Sequence, residues 1–343
     1  MKRCLLQAIV AIGLTTSVLA QAANSDALTE ANLGLSLAKQ NKYKEAIQAY
    51  QRAAALDANI PGLYFNLGLA WFKLGNFRQA LGAFEKEDAR SPNDRTETLI
   101  AMSEFGLGQY REAAARLKAL AAADPANSEL QYLLAKCYMW SGQMKEAMDL
   151  FQQMLRRDPD SSAVHVLMGE ALDAQRRTAD AIPEFEAALK AAPSEPNAHF
   201  GLGYLYWEQK RYDDAERQFR EELKLAPGSP EANAYLGDTL MKTGHTQQAI
   251  PYLQRAIALK QNLHVAHEDL GILYAQDKQP EKAITEFRKA IRSDASNYDA
   301  HYRLARLYRQ LGRTAEADKE FGIVHKLQQQ KREEPLMKVS GPR

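Results

Sequence analysis

Cysteine is scarce: of 343 residues only Cys4 and Cys137 carry a thiol. That excludes a small disulfide-stapled fold and any paired C-x-x-C metal or redox motif. Neither sign of charge is in surplus, with 44 Lys and Arg against 43 Asp and Glu. A general nucleic-acid binder carries a basic excess, so nucleic acid is not an expected partner. The sequence also lacks the short signatures of common enzymes: no zincin H-E-x-x-H, no G-x-S-x-G elbow and no phosphate loop. Gly201-Leu202-Gly203 is half of a dinucleotide fingerprint, but it lies inside a helical pattern with no strand before it. No catalytic residue, metal site, cofactor or small-molecule substrate is therefore expected. No Pro/Gly/Ser linker interrupts the stretch from Ala27 to Val324, which reads as one domain.

What the chain does have is a period. Alanine recurs at Ala46, Ala80, Ala113, Ala147, Ala181, Ala215, Ala249, Ala283 and Ala317, spaced by 34 residues except for one gap of 33. Twelve residues before each stands a small residue: Gly34, Gly68, Ala101, Ala135, Gly169, Gly203, Gly237, Gly271 or Ala305. Four residues after each stands a large apolar one: Tyr50, Phe84, Leu117, Phe151, Phe185, Phe219, Leu253, Phe287 or Phe321.

These spacings are helical, because residues four apart share a helix face. Leu202 and Tyr206 form one such pair, Ala215 and Phe219 another, and the chain turns between them near Gln209 to Tyr212. Each unit is then two antiparallel helices, with small residues at the crossing. Pro92, Pro125, Pro159, Pro193 and Pro227 close five units where a helix must stop. Asn127, Ser161, Ser229 and Asn297 sit where an N-cap belongs.

The nine-fold pattern of small residue, alanine and aromatic, with its closing proline, closely resembles the tetratricopeptide repeat family from about Ala27 to Val324. The resemblance implies an all-α, right-handed α-solenoid of about nine tandem repeats, whose first helices line a concave surface. The repeats start near residues 27, 61, 94, 128, 162, 196, 230, 264 and 298. Some residues depart from the pattern. Glu104 takes a large apolar position in the third repeat, beside the 33-residue gap, so that repeat is expected to be irregular. Glu87 and Glu222 take small-residue positions, and Pro183 and Pro251 fall near the starts of second helices.

Residues 1–23 read as a secretory signal: Lys2 and Arg3, an apolar run from Leu5 to Leu14, then small residues up to Ala23. The run is too short for a comfortable membrane span, so membrane association is expected only if the segment stays uncleaved. Export to the periplasm or beyond follows from it. Cys137 alone would remain in the mature chain, as a small buried thiol. The polar stretch 325–334 extends the last helix, and 335–343 are expected to be a disordered tail.

Family geometry gives the groove unit positions 2, 5, 6, 9, 12 and 13 of the first helices. The residues read there include Phe65, Leu69, Phe72, Met102, Phe105, Tyr132, Trp140, Phe200, Tyr204 and Trp207. Acids stand between and beyond them: Glu170, Asp173, Glu231, Asp238, Glu268 and Asp269. Large aromatics suit recognition because they bury much area at low entropic cost. The mixture suits a partner segment with apolar and positively charged residues. The best groove candidates are Phe65, Leu69, Tyr132, Phe200, Tyr204, Trp207, Glu170 and Asp238. Arg303, Arg306 and Arg309 lie along the last first helix as a possible basic end patch.

His165, His199, His267 and His301 share one repeat position. Helices of neighbouring repeats lie ~8–10 Å apart, against ~2 Å for a zinc–nitrogen bond. They are therefore expected to be packed rings, and no metal is expected. The chaperone-type carboxylate clamp of the family needs a Lys, Asn and Arg cluster that does not assemble here. The expected function is a non-catalytic scaffold that binds a protein or peptide ligand, in envelope assembly, secretion or polysaccharide export. A self-associating architectural protein, or an accessory subunit of a glycosyltransferase or hydrolase system, is the alternative.

Overall fold

The computed structural model describes residues 25–339, with side chains described as far as Gln330. The expected signal segment 1–23 lies outside the described residues. The described residues form eighteen α-helices and no strand. They divide into two compact units, meeting between Arg157 and Asp158, where the sequence reading expected one domain.

In the first unit the helices are α1 (Ser25–Lys39), α2 (Tyr43–Leu56), α3 (Leu63–Lys73), α4 (Phe77–Asp88), α5 (Asp94–Gly106), α6 (Tyr110–Ala123), α7 (Ser128–Trp140) and α8 (Met144–Arg157). In the second they are α9 (Ser162–Ala174), α10 (Thr178–Ala191), α11 (Ala198–Glu208), α12 (Tyr212–Leu225), α13 (Pro230–Lys242), α14 (Thr246–Leu259), α15 (His264–Gln276), α16 (Pro280–Ser293), α17 (Tyr298–Gln310) and α18 (Thr314–Val339). Odd-numbered helices are the first of each repeat, and each packs on the even-numbered helix that follows it. No described helix is long and apolar enough to cross a membrane. α18 continues to Val339, past Pro335 where a disordered tail was expected.

All nine phase-setting alanines are fully buried, and so are the large residues four positions later from Tyr50 to Phe287. Phe321 of the last repeat is only half-buried. Each buried aromatic contributes roughly 1.5–3 kcal/mol relative to exposure. The small residue opposite makes room for it. A Cβ added at Gly237 would lie 2.5 Å from Leu253 Cδ2, well inside contact distance.

The 33-residue gap does not disturb the third repeat, since α5 has the ordinary thirteen residues. The shortening falls instead on α4, which has twelve residues where the other second helices before α18 have fourteen. Glu104 is buried, and its Oε1 accepts from Arg116 Nε of α6 at 2.9 Å. Burial raises its pKa against the pull of that guanidinium. Cys137 is fully buried as expected, its thiol pushed up to about 12 by burial and by the charge of Glu104. Pro183 and Pro251 sit beyond the first turn of α10 and α14, deeper than the sequence reading placed them.

Caps explain two other departures. Asn127, Ser229 and Asn297 accept the expected backbone N–H bonds at the starts of α7, α13 and α17, and Asn93 does the same at the start of α5, where no cap had been read. Ser161 occupies the cap position of α9, but its side chain makes no such bond. In the repeats that begin Pro61-Gly62 and Pro196-Asn197, the cap residue is left-handed, with φ of 72° at Gly62 and 67° at Asn197. Neither makes a side-chain cap, and α3 and α11 are correspondingly short. Here the second helix supplies the acceptor. Glu87 of α4 accepts from Gly62 N at 3.1 Å and Phe65 N at 3.3 Å, and Glu222 of α12 accepts from Phe200 N at 3.3 Å. Both glutamates are buried, so a carboxylate does from the neighbouring helix what an N-cap side chain does elsewhere.

The aligned histidines also have a structural role. Nδ1 of His165, His199, His267 and His301 faces Glu184, Gln218, Glu286 and Glu320 of the following helix at 2.7, 2.7, 2.6 and 2.5 Å. Nε2 of each faces a carbonyl oxygen in the preceding loop. The ring thus ties first helix, second helix and entry loop together within one repeat. Among the described residues no group of three or more His, Cys, Asp or Glu is placed to hold a metal.

Candidate functional site

The expected groove residues fall in both units. In the first, Phe65 and Leu69 lie half-buried on α3. Phe65 packs edge-on to Phe84 at 6.0 Å, and the Arg95 guanidinium sits 4.6 Å over its ring. Tyr132 lies on α7 beneath the Lys136 ammonium, 4.6 Å from its ring centre. On the same helix Trp140 is 42% exposed, and it contacts Phe105 at 4.9 Å and Tyr110 at 5.3 Å.

Two expected lining residues are instead core. Phe72 is buried because it packs edge-on to Phe77 of its own second helix, 5.3 Å between centroids. Met102 is buried because α5 is enclosed all round from Leu99 to Glu104.

The second unit assembles the denser constellation. On α11, Phe200, Tyr204 and Trp207 form a ladder of near-parallel rings, with centroid spacings of 6.4 and 6.0 Å. Tyr235 of α13 stands edge-on to all three, at 5.9, 5.3 and 5.1 Å. It is the hub of the cluster, and the sequence reading passed over it. Its unit position, the sixth, was the available signal. Offset and edge-to-face geometries of this kind each add ~0.5–1.5 kcal/mol beyond area burial.

Carboxylates interleave with these rings. The Trp207 indole N–H donates to Asp238 Oδ2, and Tyr204 Oη donates to Glu208 Oε1 at 3.1 Å. Burial, then the charge and hydrogen bond of Glu208, push the Tyr204 phenol up to about 12. Asp173 of α9 is raised by burial and by Glu208, against Arg176. Glu170, one turn earlier on α9, is half-buried.

On α15, Glu268 accepts from Asn297 at 3.0 Å and from Arg303 at 3.3 Å, and burial is the main cause of its raised pKa. Asp269 beside it is raised well above the usual range by burial, then by Asp238 and Glu268. Lys242 of α13 lies 3.5 Å from Asp238 Oδ1, and these three carboxylates hold its ammonium protonated against the cost of burial.

The basic end patch is largely neutralised. Arg303 is paired with Glu268, and Arg309 lies 3.5 Å from Asp318 and 4.4 Å over Phe321. Arg306 is exposed, 5.9 Å from the Tyr302 ring.

Comparison with known families matches tetratricopeptide repeat models at residues 104–171 and 274–332, at 166–230 and 235–296, and at 34–75. Similar solved structures include the Cut9–Hcn1 hetero-tetramer of APC/C, 16% identical over 88% of this chain and 66% of that one, with a TM-score of 0.55. A monomeric IFIT1 mutant with Gppp-AAAA is 17% identical over 89% of this chain and 82% of that one, with a TM-score of 0.52. YrrB, described as a TPR protein with an unusual peptide-binding site, is 22% identical over 52% of this chain and 92% of that one, with a TM-score of 0.41. At these identities the likeness is one of fold. A comparison with curated proteins finds no match.

Proposed function

The chain belongs to the tetratricopeptide repeat family, and from that premise we propose that it is a non-catalytic scaffold binding a segment of another protein. The binding surface is the first-helix face of the second unit. The observation that carries this reading is the cluster of Phe200, Tyr204, Trp207 and Tyr235, four large rings left only half-buried beside a row of carboxylates. Half-exposed aromatics held rigid by their neighbours bury area on a partner at little entropic cost. In the first unit, the exposed Trp140 with Phe105 and Tyr132 offers a second, smaller contact area.

The basic start, apolar run and small residues of segment 1–23 support work outside the cytoplasm, in envelope assembly, secretion or polysaccharide export. The near balance of Lys and Arg against Asp and Glu disfavours nucleic acid as the ligand. Capture from a cell-envelope extract tests the reading. Wild type should retain specific proteins that a Tyr204→Ala/Trp207→Ala double variant of unchanged helicity releases. Equal capture by both would move recognition away from this face.

A further inference from the structure

The same face carries a charge pattern that narrows its ligand. Asp173 on α9, Glu208 on α11, Asp238 on α13, and Glu268 with Asp269 on α15 place five carboxylates on four successive first helices. The basic groups that act on them are Arg176, Lys242 and Arg303. The protein as a whole is almost neutral, so this concentration is local.

Most buried carboxylates have donors. Asp238 has the Trp207 indole and Lys242, and Glu268 has Asn297 and Arg303. Asp269 is the exception. It is 3% exposed, and its Oδ2 has no hydrogen-bond partner although Asp238 and Glu268 crowd it with like charge. A buried acceptor left without a donor costs ~1–3 kcal/mol, and such defects collect at sites that bind something.

The geometry points to a Lys- or Arg-bearing peptide segment as the ligand of this face, its cationic side chains seated between the α9–α15 carboxylates and the rings of Tyr204 and Trp207. The assignment rests on the scaffold reading and gives its partner a chemistry. A cation supplies the donor that Asp269 Oδ2 lacks and offsets the negative charge that Asp238 and Glu268 place against it. The ring faces of Trp and Tyr add cation–π attraction. Lys242 already shows the arrangement from within: it is half-exposed at 41%, and its ammonium is held by Asp238, Asp269 and Glu268 at the edge of the cluster. An acidic segment would meet repulsion from the same groups, so the face also discriminates against one class of partner.

The test uses the full chain and a short oligolysine peptide, with an oligoglutamate of equal length as control. Binding is followed by tryptophan fluorescence and by calorimetry at low and physiological salt. Oligolysine should bind, more weakly as salt rises, and oligoglutamate should not. Asp269→Asn and, separately, the more accessible pair Asp173→Asn/Glu208→Gln should each weaken oligolysine by about tenfold, equivalent to ~1.4 kcal/mol. Absence of oligolysine binding at low salt, or unchanged affinity in both variants, would overturn the assignment. The two readings fail separately: if extract proteins are lost from the Tyr204→Ala/Trp207→Ala variant while oligolysine binding is absent, the face binds a partner that is not basic and only this assignment falls, whereas equal capture by wild type and that variant overturns the scaffold reading itself.

Discussion

Asp269→Asn should make the second unit more stable, and by how much follows from its surroundings. The residue is 3% exposed, one carboxylate oxygen has no donor, and Asp238 and Glu268 oppose its charge more than Lys242 and Arg303 relieve it. Burial and that repulsion raise its folded-state pKa. The folded chain therefore holds this proton to higher pH than the unfolded chain, whose Asp titrates near ~3.9. The group's contribution to stability is fully present below the unfolded value and is lost as pH rises through the folded value. Asparagine has nearly the same shape and carries no charge, so it removes the loss. The gain at neutral pH should be ~1–3 kcal/mol, the ordinary cost of a buried polar group left unsatisfied. For a unit of this size that is about 2–4 °C of Tm per kcal/mol. Urea unfolding monitored by circular dichroism across the acid-to-neutral range measures it. The variant's advantage should be largest near neutrality and close as pH falls toward ~4. A variant less stable than wild type at neutral pH, or a difference independent of pH, would refute the reasoning.

Other residues give independent checks. Glu87→Ala and Glu222→Ala should each cost ~1–3 kcal/mol in urea unfolding, by leaving the N–H groups at the starts of α3 and α11 without an acceptor, and the corresponding Gln variants should cost less because an amide oxygen remains. Gly237→Ala should destabilise despite a helix-propensity gain of ~1 kcal/mol, because its Cβ would strike Leu253 and overpacking of this kind costs ~1–3 kcal/mol. Glu286 is held below the usual carboxylate range: burial pushes it up, but hydrogen bonds from His267 and Lys289 outweigh that. Its contribution is therefore present above the unfolded Glu value of ~4.3 and lost as pH falls through the folded one. Acid titration of the circular dichroism signal should show Glu286→Gln losing less stability than wild type over that range.

The repeat architecture was legible because it is local and periodic. Ala46 and its eight successors had to be small wherever two helices cross, and burial of all nine follows from that one constraint. Several boundaries between repeats were legible too, since a capping residue such as Asn127, Ser229 or Asn297 stands at the start of the next first helix. What escaped was everything set by contacts between repeat halves. Nothing near Glu87 or Glu222 in the sequence says that each carboxylate reaches back to a helix start twenty-odd residues earlier. The clue was present but indirect: their repeats begin Pro-Gly and Pro-Asn and lack a side-chain cap. The histidines were expected to be packed rings, and they are packed rings whose two nitrogens also meet the second helix and the entry loop. Groove membership was the weakest inference. Unit position 12 holds both Trp207, half-buried in the aromatic cluster, and Phe72, lost to the core against Phe77. Tyr235 was missed because position 6 carries no fixed chemistry, and its role depends on the rings that α11 presents to it.

The central claim is that the first-helix face of the second unit binds a partner protein. Its most direct test is hydrogen–deuterium exchange of the full chain with and without a partner captured from envelope extract. Protection should appear in α11 and α13, around Tyr204 to Glu208 and Tyr235 to Lys242, with α12 and α14 unchanged. Protection confined to α12, α14 or the helices of the first unit would contradict it.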